Sequence, residues 1–155
     1  MVQLLNLPLT DLHTADDTDI STIAANSNGL IIDFWTTKCT RCPAALDKLH
    51  SLTTNPLYSN YTILSIVCDS LDPAREILHS SKAVKWPNIR HLYTNIDSKE
   101  AAKKHYGFNQ VPFYVVYEDG EVKEASNKVD FAALVAPKHE EEKKEDREFC
   151  MDEDF

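Results

Sequence analysis

Cys39-Thr40-Arg41-Cys42 is the segment of this 155-residue chain whose residue types and spacing do chemistry most directly. It lies between an apolar run rich in β-formers and a stretch of helical period. A cysteine at the start of a helix sees unpaired backbone N–H groups and the positive end of the helix dipole. Both favour thiolate over thiol, and cysteines in such settings ionise at roughly pH 3.5–7.5 instead of near 8.5. Two intervening residues let the second sulfur reach the first around the turn. The chemistry implied is thiol–disulfide exchange, in which Cys39 attacks a disulfide and Cys42 resolves the mixed intermediate. Zinc is the competing use of such a pair, but it needs four ligands, usually from two pairs. The other cysteines, Cys68 and Cys150, are isolated and the six histidines are scattered, so no metal and no other cofactor is expected. Cys68 ends a β run and reads as a small buried hydrophobe. Cys150 lies among acids near the C-terminus, as a free thiol or a regulatory partner.

The elements that must position this pair follow from periodicity. Residues 2–7 read as a first strand. Asp17 to Asn26 carries Ile20, Ile23 and Ala24 at helical spacing. After the turn signal Asn28-Gly29, residues 30–35 (Leu-Ile-Ile-Asp-Phe-Trp) form a short run suited to a strand buried on both faces. Residues 40–53 place Ala45, Leu46, Leu49 and Leu52 on one helical face, and Asn55-Pro56 ends that helix. A strand is expected over 61–68, a helix over 72–84 broken by Trp86-Pro87, a short strand over 89–93, and a helix over 98–106 closed by Gly107. Residues 113–117 read as a strand, Asp119-Gly120 as a hairpin turn, Val122 as the start of the returning strand, and 129–136 as a short helix stopped by Pro137. Early alternation with a late hairpin indicates an α/β sheet with an antiparallel edge.

Two further segments carry a resemblance. Residues 33–42, Asp-Phe-Trp-Thr-Thr-Lys-Cys-Thr-Arg-Cys, resemble the active-site segment of the thioredoxin superfamily. Gly107-Phe108-Asn109-Gln110-Val111-Pro112-Phe113 resembles that family's cis-proline loop, and the Asp119-Gly120-Glu121 hairpin also fits. The resemblance covers residues 1–136. The long segment between Cys68 and His91 is similar to the insertion of tryparedoxin-, nucleoredoxin- and TlpA-like relatives. It implies a thioredoxin fold: a central mixed sheet of four to five strands flanked by helices, with a C-terminal β-hairpin. It implies that Asp33, six residues before Cys39, is a buried acid with a raised pKa that exchanges a proton with Cys42. It implies that Trp35 packs beside the dithiol, among the residues that meet the substrate. It also implies that Val111-Pro112 is a cis bond facing Cys39, with backbone groups that pair with an extended substrate.

The chain departs from the family's usual Trp-Cys-Gly-Pro-Cys. Lys38 stands for the second Trp, and Thr40-Arg41 for Gly-Pro. Two extra cations beside the dithiol favour the thiolate, a more oxidising pair and acidic substrates. Pro43 falls within the first helical turn or just after it, where proline can kink a helix, and a lysine expected in the third strand is replaced, in a loose alignment, by Ser65. The function implied is a protein-disulfide reductase, with protein disulfides as substrates and an upstream dithiol reductase to recharge it. Other readings are an adaptor or chaperone-like module that binds without turnover, and a peroxidase. Thr36-Thr37-Lys38-Cys39 matches the Thr-x-x-Cys of peroxiredoxins, but Ile32 stands where their proline would be. The Cys-Pro-Tyr-Cys signature of glutaredoxins is absent.

Composition bounds the rest. The length suits one domain with a sizeable core. The net charge of −9 argues against a nucleic-acid partner. Residues 137–155 carry nine acids and four bases, and are expected to be a disordered acidic tail behind a domain of residues 1–136. No run of 18 or more apolar residues suggests a membrane span, and the N-terminus lacks a basic, then apolar, leader pattern. A cytoplasmic monomer is expected.

Overall fold

The computed structural model describes residues 2–79 and 85–135. The expected tail, Cys150 and the last residues of the expected helix 72–84 lie outside the described residues. One seven-stranded sheet organises the molecule: β1 (Pro8–Asp11), β2 (Asp17–Asp19), β3 (Gly29–Trp35), β4 (Tyr61–Val67), β5 (Arg90–Tyr93), β6 (Phe113–Glu118) and β7 (Glu121–Ser126). Their spatial order is β2-β1-β5-β4-β3-β6-β7. β3 runs parallel to β4 and β4 parallel to β5, whereas β6, β7, β1 and β2 add antiparallel pairings at the two sides. The sheet is wider than the four to five strands expected. β2 is Asp-Thr-Asp, without an apolar residue to announce it, and exists because β1 offers it a ladder.

Every residue of β3 is buried, because it is paired on both edges and covered on both faces. Its alternate side chains enter two cores. Ile31 and Trp35 pack with Leu46 and Leu49 of helix α2 (Cys42–Thr53) and with Ala74 and Leu78 of α3 (Leu71–Leu78). Leu30, Ile32 and Phe34 pack on the other face with Ile20 and Ile23 of α1 (Ile20–Ala25) and Ala102 of α4 (Ile96–Tyr106). A short final helix, α5 (Phe131–Leu134), closes the α2 face through Phe131.

Three expected boundaries move for identifiable reasons. Residues 2–7 are not a strand; Leu7 is buried, but pairing begins at Pro8, which can open a strand because it lacks the N–H a ladder needs. Helix α1 begins at Ile20, since Asp19 caps it by accepting from the Thr22 N–H at 2.8 Å. Helix α4 begins at Ile96, capped by Asn95 through the Ser98 N–H, and ends at Gly107 with φ of 75°. Asp119 and Gly120 both take positive φ, 57° and 80°, as a tight β6–β7 hairpin requires.

Leu46 is fully buried between α2 and the sheet, one turn beyond Cys42. Leu46→Ala should lower the unfolding free energy by about 2–5 kcal/mol in urea titrations, the range for emptying a well-packed leucine site.

Candidate functional site: a dithiol turn against a cis-proline loop

β3 ends at Trp35, and the chain turns through residues 36–41 before α2 begins at Cys42. The helix was expected from residue 40. Thr40 and Arg41 instead complete the turn: the Cys39 N–H donates to the Thr36 carbonyl at 3.3 Å and the Cys42 N–H to the Cys39 carbonyl at 3.4 Å. Arg41 occupies the cap position without a side-chain cap, and Pro43 sits in the first turn, where its missing N–H costs nothing. The turn is anchored from outside. Asp69, just beyond β4, accepts from the Thr37 N–H and from the Thr37 hydroxyl, the latter at 2.8 Å.

Cys39 and Cys42 are joined as a disulfide, with their Cα atoms 5.5 Å apart. Their exposures differ. Cys42 is fully buried in the α2-side core, whereas Cys39 is partly exposed and lines an open cleft of about 440 Å³ with Thr36, Lys38, Arg41, Asn109 and Val111. Lys38, Thr40 and Arg41 are all exposed around it. The Val111–Pro112 peptide is cis, and the Val111 carbonyl lies 3.6 Å from Cys39 Sγ. Asn127, after β7, holds that loop by donating from Nδ2 to the Gln110 carbonyl at 2.7 Å and the Pro112 carbonyl at 2.9 Å. Asp69 and Asn127 are the fasteners of the two loops. Neither was singled out from the sequence, because an Asp after a strand and an Asn after a hairpin carry no periodic or motif signal.

Trp35 was expected among the substrate-binding residues. It is 1% exposed and packs inward with Cys42 and Leu46, so it offers no surface to a substrate and supports the turn from below.

Asp33 shares its face of β3 with Ile31 and Trp35, and therefore lies under the α2 side that carries Cys42. It is fully buried, and neither carboxyl oxygen has a hydrogen-bond partner. Burial holds its pKa well above the usual carboxylate range. Its lateral neighbours complete a polar row across four strands. Tyr114 on β6 and Ser65 on β4 are its register partners, and His91 on β5 is the register partner of Ser65. The His91 ring is bracketed: Nε2 donates to the Trp86 carbonyl at 2.9 Å, which leaves Nδ1 to accept from the Ser65 hydroxyl at 2.6 Å. The Ser65 proton is thus committed to His91 and not to Asp33. Burial pushes the His91 pKa down to about 4, and burial with the Asp33 charge pushes Tyr114 up to about 12. Trp86 in turn donates its indole N–H to Asp47 on α2 at 2.7 Å, tying the segment before β5 to the dithiol helix.

Cys68 is 1% exposed, and burial raises its thiol pKa to about 12. It is a core residue, as its place at the end of a β run implied. Among the described residues no group of three or more His, Cys, Asp or Glu could hold a metal ion, and no helix is long and apolar enough to cross a membrane.

With this geometry in hand, comparison with solved structures identifies the architecture. The thioredoxin domain of a thiol-disulfide oxidoreductase from Bacteroides vulgatus superposes with a TM-score of 0.69 at 13% identity, over 88% of this chain and 96% of that one. A thiol:disulfide interchange protein from a Bacteroides species gives 0.67 at 14% identity, over 86% and 84%. MTB DsbF, described in mixed oxidised and reduced forms, gives 0.62 at 14% identity, over 83% and 90%. No family model matches the chain, and no curated protein does. The fold is the thioredoxin fold, as the resemblance of the two loops implied, and Cys39 and Cys42 occupy it at disulfide distance.

Two opposed pH dependences follow from the polar row. Unfolding lets Asp33 ionise near pH 3.9, which the folded state resists, so its contribution to stability is lost as pH rises from there toward its raised folded pKa. The stability of wild type relative to Asp33→Asn should therefore fall as pH is raised above about 4, by at most about 1.4 kcal/mol per pH unit, in denaturant titrations of the oxidised protein. His91 acts in reverse. Unfolded histidine takes a proton near pH 6.5 and the buried ring only near 4, so stability is lost as pH falls through that window, by on the order of 3 kcal/mol. His91→Asn should flatten that acid limb.

Proposed function

We propose that this protein is a thiol-disulfide oxidoreductase of thioredoxin type that reduces or exchanges disulfides in other proteins. The observation that carries the reading is the asymmetry of the Cys39–Cys42 pair. One sulfur is reachable from a cleft beside a cis-proline loop, and the other is buried beneath it. A reachable sulfur can attack, and a buried one can only attack its neighbour.

In the reducing direction, the Cys39 thiolate attacks one sulfur of a substrate disulfide. A new Cys39–substrate S–S bond forms, and the second substrate sulfur leaves as thiolate and is protonated. Cys42 then attacks Cys39 Sγ, freeing the first substrate thiolate and leaving the Cys39–Cys42 disulfide. Two electrons have passed from the protein to the substrate, and an upstream dithiol reductase returns them. Cys42 must lose a proton to attack, and Asp33, buried on the α2 side of the sheet, takes it. Burial holds the Asp33 pKa well above the usual carboxylate range, so proton transfer to it is less uphill than to an ordinary carboxylate. The extended segment around the attacked sulfur lies along Val111-Pro112, whose backbone groups pair with it. Lys38 and Arg41 stabilise the thiolate by charge. A reducing compartment, as the cytoplasm is, keeps the pair as the dithiol and sets this direction.

The test is dithiol-driven reduction of insulin disulfides by wild type, Cys39→Ser and Cys42→Ser. Wild type should turn over, Cys39→Ser should fall to the uncatalysed rate, and Cys42→Ser should accumulate a mixed disulfide detectable by mass spectrometry. Equal, background rates in all three proteins, with no trapped species, would overturn general disulfide reduction.

A further inference from the structure

The cleft beside Cys39 does not end at the dithiol turn. A smaller cavity of about 100 Å³ adjoins it, and the two share Thr36, Asn109 and Val111 as a common wall. The cavity is lined further by Cys68 and Phe108 and by two lysines of α4, Lys99 and Lys103. These lysines are four residues apart on one helical face and half-buried. Like charges at that spacing oppose each other, so the helix gains nothing by the arrangement itself.

The charge pattern is one-sided. Four cations, Lys38, Arg41, Lys99 and Lys103, line the joined clefts, and among the described residues no Asp or Glu lines either. Lys38, Arg41 and Lys99 make no ion pair within 4 Å among the described residues, and Lys103 has only Glu100, with Nζ at 3.7 Å. Asp69 keeps its charge, but it faces Thr37 and Ser70 and lines neither cleft. All this stands in a chain with a net charge of −9. An acidic protein with a cation-lined cleft repels acidic partners over the rest of its surface and attracts them at the cleft.

From this juxtaposition we infer that the oxidoreductase takes disulfides in acidic polypeptide segments, with Asp or Glu beside the attacked cysteine. Lys38 and Arg41 hold one flank of the segment, and Lys99 and Lys103 hold the other across the cis-proline loop. This rests on the reading of Cys39–Cys42 as a redox-active dithiol. The electrons come from that dithiol: the peptide disulfide is reduced to two thiols while Cys39–Cys42 is oxidised. Each exposed charge pair is worth little alone, so the discrimination comes from several acting together and is screened by salt.

The experiment uses pre-reduced full-length protein and three synthetic peptide homodisulfides, with the cysteine flanked by Glu, Gln or Lys. Single-turnover rates of dithiol loss are measured at low and high salt. Wild type should prefer the Glu peptide over the Gln peptide by roughly five- to thirty-fold at low salt, with the Lys peptide slowest. The Glu-to-Gln ratio should shrink toward one at about 0.5 M salt, and also in Lys99→Gln/Lys103→Gln, whose folding is checked by circular dichroism. Equal rates for the Glu and Gln peptides in wild type overturn the inference while leaving the oxidoreductase reading intact. A ratio unchanged in the α4 variant removes the second half of the site and overturns it as well. Failure with all three peptides sinks the oxidoreductase reading itself, and the inference with it.

Discussion

The whole arrangement depends on the complete burial of β3. A strand paired on both edges and covered on both faces has no freedom to slip, since a shift of one residue would send Ile31, Asp33 and Trp35 to the opposite core. That fixed register delivers Trp35 to the base of the dithiol turn and Asp33 beneath the α2 side of the sheet. It also determines where β6 emerges, because β6 pairs antiparallel with β3 from Gly29 to Phe34. The cis-proline loop, which leads into β6, is therefore brought against the end of β3 from which Cys39 departs.

Two loops with no regular structure must nonetheless hold a few ångströms of separation. They do so through side chains that satisfy backbone groups. Asp69 accepts from Thr37, and Asn127 donates to the carbonyls on either side of the cis bond. Hydrogen bonds of this kind contribute modestly to stability but fix geometry, and thiol–disulfide exchange is demanding in geometry because the attacking sulfur must line up with the bond it breaks.

Beneath the turn the protein tolerates an arrangement that destabilises it. Asp33 has no partner for either oxygen, and the hydroxyl next to it, Ser65, directs its proton to His91 instead. A core selected only for stability would replace such a carboxyl with an apolar side chain. A buried carboxyl on the α2 side of the sheet is what the proposed proton acceptor for Cys42 requires. Charge at the surface is divided as unevenly: an acidic protein lines the cleft beside Cys39 with cations.

Much of this was legible in residue order. The Cys-x-x-Cys between an apolar strand and an amphipathic helix, the apolar runs of β3, β4 and β6, the Asp119-Gly120 hairpin and the Gly107 cap are local signals, and local signals survive in a linear chain. The α/β class, Cys39 and Cys42, Asp33 and the Val111-Pro112 loop followed from them and from the resemblance they carried. What depended on pairing did not. β2 has no apolar pattern and forms only because β1 lies beside it, and the buried Leu7 imitated a strand that starts one residue later. The row Tyr114–Asp33–Ser65–His91 joins four strands far apart in sequence, and Lys99 and Lys103 reach the cleft only because α4 packs behind the cis-proline loop. Periodicity reports which face of an element is buried. Only the tertiary structure decides what that face meets, because strand order and register are set by burial summed over the whole sheet.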